Sequence, residues 1–297
     1  MKLSVPIAEV KRMAVHDGPG VRTTVFVKGC PLHCLWCHNP ECISARPEIM
    51  FRAARCTGCR RCEAVCPNRA HRIAEEGHHI FRRELCTACG ACAGGCFSGA
   101  LTLCGKPMTP ETLLGELLED VDFYRVSGGG VTISGGEPLL YPAFCLALFR
   151  LLGREKIHRA LDTSAAVPWE AFERVLPECD LLLIDFKHPD PERHRALTGM
   201  DNRQIRENLR RLQAFDVPIE IRIPLVPGYN DSPRELEAAA EFLDSLPRVT
   251  RVRVLAYHSF ARSKYAAVGR RDTMPQVESP SRERVEAVEQ IFRANCA

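Results

Sequence analysis

Thr24-Val25-Phe26-Val27-Lys28-Gly29-Cys30-Pro31-Leu32-His33-Cys34-Leu35-Trp36-Cys37-His38-Asn39-Pro40 is the stretch that decides the fold. Its first five residues read as a buried strand. The chain then leaves through Gly29 into a loop that carries Cys30, Cys34 and Cys37 in the spacing C-x3-C-x2-C. Chemistry placed just past a strand suits a parallel sheet, whose carboxyl-end loops gather on one face. Three thiolates on a four-iron cubane leave one iron open to another ligand. The same thiolates with His33 or His38 would complete a tetrahedral zinc site.

Further strands are expected at 131–133, 159–161, 181–184, 219–222 and 252–255, each followed by polar residues. Ser134-Gly135-Gly136-Glu137-Pro138 follows the second strand, Asp162-Thr163-Ser164 the third and Asp185-Phe186-Lys187 the fourth; His258 lies past the last. Helices are expected over 109–124, with Thr109 as N-cap and Pro110 at the first position, and over 144–152 and 232–246. Six strand-plus-helix units make the chain α/β with a parallel sheet, either doubly wound and open or closed into part of a barrel. Alternation puts Asp185 and Lys187 on one face, where a structural salt bridge is the plain alternative to a ligand site.

The chain has 297 residues and 16 cysteines. Cys56, Cys59, Cys62 and Cys66 form C-x2-C-x2-C-x3-C, and Cys86, Cys89, Cys92 and Cys96 repeat that spacing 30 residues later. The doubled run resembles the bacterial two-cluster ferredoxin, in which the fourth cysteine of each run ligates the other cluster. The resemblance implies one [4Fe–4S] cluster on Cys56, Cys59, Cys62 and Cys96, and another on Cys86, Cys89, Cys92 and Cys66. A pair of zinc knuckles is the alternative. The run would form an insert, 47–104, in a body made of 1–46 and 105–297. Cys42, Cys104, Cys145, Cys179 and Cys296 read as small buried apolar residues. A formal charge of +3 is too weak to argue for nucleic acid or an anionic membrane, and no apolar run reads as a signal or a span. Reduced thiols in such number fit a cytoplasmic protein.

His16-Asp17-Gly18-Pro19-Gly20-Val21-Arg22, Phe26, and Gly29-Cys30 through Trp36-Cys37-His38-Asn39-Pro40 are similar to the signature of glycyl-radical-enzyme activating enzymes, in the radical S-adenosylmethionine (SAM) superfamily. That resemblance favours a partial (β/α)6 barrel of the TIM-like kind. It implies that Cys30, Cys34 and Cys37 hold a [4Fe–4S] cluster whose open iron binds SAM. Reductive cleavage would then give methionine and a 5′-deoxyadenosyl radical, which takes the Cα hydrogen of one glycine in a partner protein. Lys187 joins the three cysteines as a catalytic residue on this reading. Gly135, Gly136, Glu137, Asp185, Phe186, Lys187, Arg222 and His258 would contact SAM, and Trp36, Cys37 and His38 would line its adenine pocket, although Trp36 could equally be a packing residue. Asp162, Thr163 and Asp185 match a monovalent-cation site, with Ala165 where glycine is usual.

The expected partners are a glycyl radical enzyme and a reduced flavodoxin or ferredoxin as electron donor, with the activase itself a monomer. The insert would relay electrons or dock the partner. Rival readings are a radical SAM enzyme acting on a small molecule and a ferredoxin-type electron-transfer protein. The latter leaves the three-cysteine group and Gly-Gly-Glu-Pro unexplained.

Overall fold

In a computed structural model, which describes residues 3–75 and 77–293, all six expected strands form. The strands in chain order are β1 (Val5–Ala14), β2 (Arg22–Val27), β3 (Glu48–Phe51), β4 (His71–Ile73), β5 (His79–Phe81), β6 (Leu101–Cys104), β7 (Lys106–Met108), β8 (Gly130–Gly135), β9 (His158–Thr163), β10 (Leu181–Asp185), β11 (Ile219–Leu225) and β12 (Val249–Ala256). One sheet has the order β12-β11-β10-β9-β8-β2-β1-β7. From β2 to β12 its neighbours are parallel, while β1 lies antiparallel on β2 and β7 antiparallel on β1. The fold is therefore α/β with a mostly parallel central sheet.

Helices pack their apolar faces on this sheet. Phe144, Leu148, Phe149 and Leu152 share one stripe of the helix Pro142–Arg154, and all are fully buried beside Val131, Ile133 and Leu182. Each such side chain contributes about 1.5–3 kcal/mol of burial energy. Thr109 does cap a helix, accepting from Thr112 N at 3.3 Å, but that helix is Pro110–Leu118 and a second runs Val121–Ser127. The single helix expected over 109–124 is broken at Asp120, whose buried carboxylate accepts from Arg12 Nε at 2.9 Å and Thr23 Oγ1 at 2.8 Å. Strand β1 was not expected. Glu9 and Lys11 interrupt its apolar run; a register shift between Ile7 and Glu9 breaks the alternation there, leaving both exposed where Val5 and Ile7 are buried.

Between β2 and β7 the chain builds two small sheets, β3 with β6 and β4 with β5. The 30-residue cysteine repeat is also a backbone repeat. Positive φ falls at Gly58 and Ala88, at Arg60 and Gly90, and at Arg69 and Gly99. Each short helix, Arg61–Val65 and Ala91–Gly94, starts behind the middle pair and buries the third cysteine of its run. Arg83 ties this segment to the rest of the chain, donating to Ile49 O at 2.8 Å and Ala267 O at 2.6 Å. Fully buried Lys28, at the exit of β2, pairs with Glu48 Oε2 at 2.9 Å.

Candidate functional site

The loop after β2 is anchored on both sides by backbone. Gly29 N donates to Cys42 O at 2.8 Å, His33 N to Thr198 O at 2.7 Å and Leu35 N to Leu197 O at 3.0 Å. Tyr265 Oη donates to Cys37 O at 3.1 Å. Cys30, Cys34 and Cys37 are thereby held on the wall of a cavity of about 950 Å³ at the carboxyl ends of the parallel strands. Burial pushes all three thiols up, Cys37 to about 12, while the Lys187 ammonium pulls Cys34 the other way.

Gly135 and Gly136 line the cavity, and both must be glycine for a reason within the chain itself. A Cβ on Gly136 would lie 2.1 Å from Gly29 O; one on Gly135, at φ +120°, would lie 2.3 Å from Val27 N. The two loops therefore meet backbone to backbone. Glu137 does not line the cavity. Its fully buried carboxylate accepts from Thr163 Oγ1 at 2.7 Å, Ser164 N at 2.9 Å, Ser164 Oγ at 2.6 Å and Leu139 N at 3.1 Å, locking the loop after β8 to the loop after β9. Glu137→Gln turns an NH2 toward these donors and is expected to cost about 1–3 kcal/mol of stability. Urea unfolding without SAM would read it; an unchanged midpoint would show that the carboxylate does not hold the two loops together.

Phe186 is likewise turned away, stacked on Phe242 at 5.5 Å in the helical layer, as alternation between Asp185 and Lys187 requires. Those two neighbours do face the cavity. Lys187 Nζ pairs with Asp185 Oδ2 at 2.8 Å, and Arg222 Nε with Asp185 Oδ1 at 3.2 Å. Arg222 also contacts Asp162 and stands 3.8 Å from Asp17 Oδ1, so one guanidinium serves three carboxylates. Burial alone would raise the Asp185 carboxyl, but Lys187 and Arg222 together hold it at about 2. Asp162 has one cation against burial and the nearby Asp185 charge, and its acid is raised. Ala165 takes a left-handed φ of +56°, the conformation that makes glycine usual there.

At the far wall His38 stacks on His258 at 4.2 Å, its Nε2–H donating to His258 O at 3.1 Å, and His258 stacks on Phe260 at 4.6 Å. Burial pushes His38 down to about 4, so it is neutral at pH 7. Trp36 lines the cavity with its back packed on Leu197, Tyr257 and Tyr265. Arg251, Arg253 and exposed Phe260 also line it and were not anticipated. The period-two pattern Arg251-Val252-Arg253 in the middle of the last strand was the available signal.

The remaining eight cluster cysteines border two small hollows. Cys56, Cys59, Cys62 and Cys96 meet at one, and Cys66, Cys86, Cys89 and Cys92 at the other, with Cys92 bordering both. Among the described residues no three cysteine sulfurs lie within 4.8 Å of one another; the one such group of ligand atoms is Cys62, His71 and His79. A tetrahedral zinc needs its sulfurs about 3.8 Å apart. Of the scattered cysteines, Cys42, Cys104 and Cys145 are buried and Cys179 is partly so, while Cys296 lies outside the described residues.

Residues 24–243 match the family described as the radical SAM superfamily, a span that holds the three-cysteine loop, Gly135-Gly136 and the Asp185–Lys187–Arg222 cluster. This chain belongs to the radical SAM superfamily. Similar proteins include the isethionate sulfite-lyase activating enzyme of Nitratidesulfovibrio vulgaris, 38% identical over 94% of this chain and 93% of that protein. The benzylsuccinate synthase activating enzyme of Thauera aromatica is 38% identical over 89% of this chain and 82% of its own length. The (2S)-3-sulfopropanediol dehydratase activating enzyme of Klebsiella oxytoca is 38% identical over 89% and 85%. A radical SAM methyltransferase structure from Sphaerobacter thermophilus shares the fold, with a TM-score of 0.54 at 16% identity over 98% of this chain and 75% of that one. Among the described residues no helix is long and apolar enough to cross a membrane.

Proposed function

We propose that this radical SAM enzyme activates a glycyl radical enzyme, removing the Cα hydrogen of one glycine in that protein. The observation that carries the reading is a three-thiol wall in a cavity of about 950 Å³, in a chain 38% identical over nearly its full length to an activating enzyme. A cavity at the upper end of the usual ~300–1,000 Å³ range has room for a nucleoside ligand together with a peptide loop.

A [4Fe–4S] cluster with an open iron, when bound, supplies the electron that splits SAM into methionine and a 5′-deoxyadenosyl radical. The donor set fits it: three thiols, set wider apart than one metal ion would need, with no carboxylate or imidazole among the described residues completing a compact set around them. Cys30, Cys34 and Cys37 hold the cluster. Lys187, Asp185 and Arg222 present both signs of charge to the amino and carboxylate groups of SAM, and Gly135 and Gly136 bring backbone amides and carbonyls close. Trp36, His38 and His258 flank the adenine. In this reading Arg222 supplies the positive charge that a monovalent cation would bring between Asp162 and Asp185. No general base is needed, because hydrogen leaves glycine as an atom; rate depends on positioning.

The segment 47–104 forms a ferredoxin-like insert in a partial (β/α)6 barrel made of 1–46 and 105–297, and it carries two auxiliary [4Fe–4S] clusters. The grouping of its cysteines around two hollows supports the crossed ligation. These clusters pass electrons from a reduced flavodoxin or ferredoxin, and the enzyme works as a cytoplasmic monomer. Relatives named for a lyase, a synthase and a dehydratase stand equally close, so identity alone does not choose the target. Incubating reconstituted enzyme with SAM and dithionite, with and without candidate glycyl radical enzymes, should give a glycyl EPR doublet only when the right partner is present. Formation of 5′-deoxyadenosine with no doublet across the panel, but turnover of a small molecule, would replace this reading.

A further inference from the structure

His71 opens β4 and His79 opens β5, and both rings turn inward from that hairpin. His79 Nδ1 lies 3.4 Å from Cys56 Sγ, and its Nε2 lies 3.0 Å from His71 Nδ1 and 3.8 Å from Cys62 Sγ. His71 stacks on Phe81 at 4.5 Å and Phe51 tilts against His79 at 4.3 Å, so the pair sits in an aromatic box.

We infer that this pair is a hydrogen-bond relay that raises the reduction potential of the cluster on Cys56, Cys59, Cys62 and Cys96 above that of the cluster on Cys66, Cys86, Cys89 and Cys92. The inference rests on the auxiliary-cluster reading above. A metal-bound cysteine is a thiolate and can only accept. His79 must then carry its proton on Nδ1 and donate to Cys56 Sγ, which leaves Nε2 bare and in need of a donor. His71 Nδ1–H is that donor. The arrangement leaves His71 Nε2 without a proton, and this is the nitrogen for which the structure shows no partner. This tautomer pair satisfies the contacts to Cys56 and between the two rings, while the bare His79 Nε2, 3.8 Å from Cys62 Sγ, makes no hydrogen bond to that sulfur.

A hydrogen bond to a ligand sulfur draws off negative charge and favours the reduced, more negative cluster. The second hollow has no counterpart. Its sulfurs accept from backbone, Cys66 from Ala70 N at 3.2 Å and Cys86 from Ala88 N at 3.3 Å. His71 borders that hollow, but its donor nitrogen is turned to His79. Arg60 and Arg61 line the first hollow, and among the described residues no charged one lines the second. The first cluster is thus the one that fills first on reduction.

The test is an EPR-monitored redox titration of holoenzyme whose iron, sulfide and zinc have been measured. In His79→Leu one couple should fall by about 59 mV, a tenfold change in a one-electron equilibrium, while the other couples stay put. His79→Asn, which returns an N–H near the Nδ1 position, should recover at least half of that shift. His71→Phe keeps the ring in the box and should lower the same couple by less. No shift in either His79→Leu or His71→Phe, an equal shift in all couples, or an asparagine no better than leucine would overturn the relay. Should His79→Leu lose iron, His71→Phe carries the test. Iron for one cluster only in the parent, or zinc held by Cys62, His71 and His79, would instead overturn the auxiliary-cluster reading, and would be seen before any potential is measured.

Discussion

Cys34→Ala is expected to cut formation of 5′-deoxyadenosine from SAM and dithionite at least about a thousandfold, equivalent to about 4 kcal/mol on the barrier. The loop itself should survive, because its anchors are backbone bonds from Gly29, His33 and Leu35 that owe nothing to the Cys34 sulfur. What is lost is the third corner of the cluster site. Two remaining thiolates leave two irons of the cubane without a protein ligand. Iron content should fall by one cluster while the signals of the other two persist. Turnover at the parent rate would mean that the open cluster sits elsewhere.

Arg222→Met is the second large effect. The guanidinium is buried among Asp17, Asp162 and Asp185, and its removal strands carboxylates out of water. Breaking such a buried cluster from one side costs about 3–5 kcal/mol. The sign with pH follows from the protons. In the parent, Asp185 has a folded carboxyl at about 2, below the unfolded value of about 3.9, so it contributes stability above pH ~4 that fades as pH falls toward 2. In the variant Asp185 keeps only Lys187 and rises from its low value, while Asp162, already raised, loses its one cation and rises further, so the folded state binds protons more tightly than the parent's does. The deficit against the parent should therefore be larger at pH 8 than at pH 5, as read by urea unfolding of holoenzyme. A gap independent of pH would show that the carboxylates had found other partners. Affinity for SAM should also fall, since Arg222 faces the cavity beside Lys187.

Much of the architecture was legible along the chain. Runs such as Val25-Phe26-Val27 and Leu181-Leu182-Leu183-Ile184 are apolar at every position, as strands buried on both faces must be, and each became a parallel strand. Cysteine spacing marked out three groups because a tight turn and a repeat are local features, and the repeated positive φ values carry the 30-residue repeat into the backbone. Strand β1 was not legible in the same way. It lies outside the parallel run and is exposed along part of its length, so its pattern mixes Glu9, Lys11 and Arg12 with Val5 and Ile7.

Within the site, residue type was a good guide and direction was not. Glu137 and Phe186 sit inside motifs that the sequence marks, but the first is consumed by the neighbouring loop and the second packs under the helices. Asp17, Asp162, Asp185 and Arg222 come from four separate places in the chain, and nothing in their spacing says that one guanidinium will serve all three carboxylates. The His71–His79 pair left no signal at all, since two histidines eight apart become neighbours only once β4 and β5 pair.

By itself, then, the sequence determined the α/β class, where along the chain the parallel strands fall and the three thiol groups, because burial periodicity and turn spacing are set by covalent neighbours. Tertiary structure decided which polar side chains face the cavity and which are spent on holding its walls. Those choices are made by partners distant in the chain, where a buried carboxylate or imidazole must find its donor or leave the site.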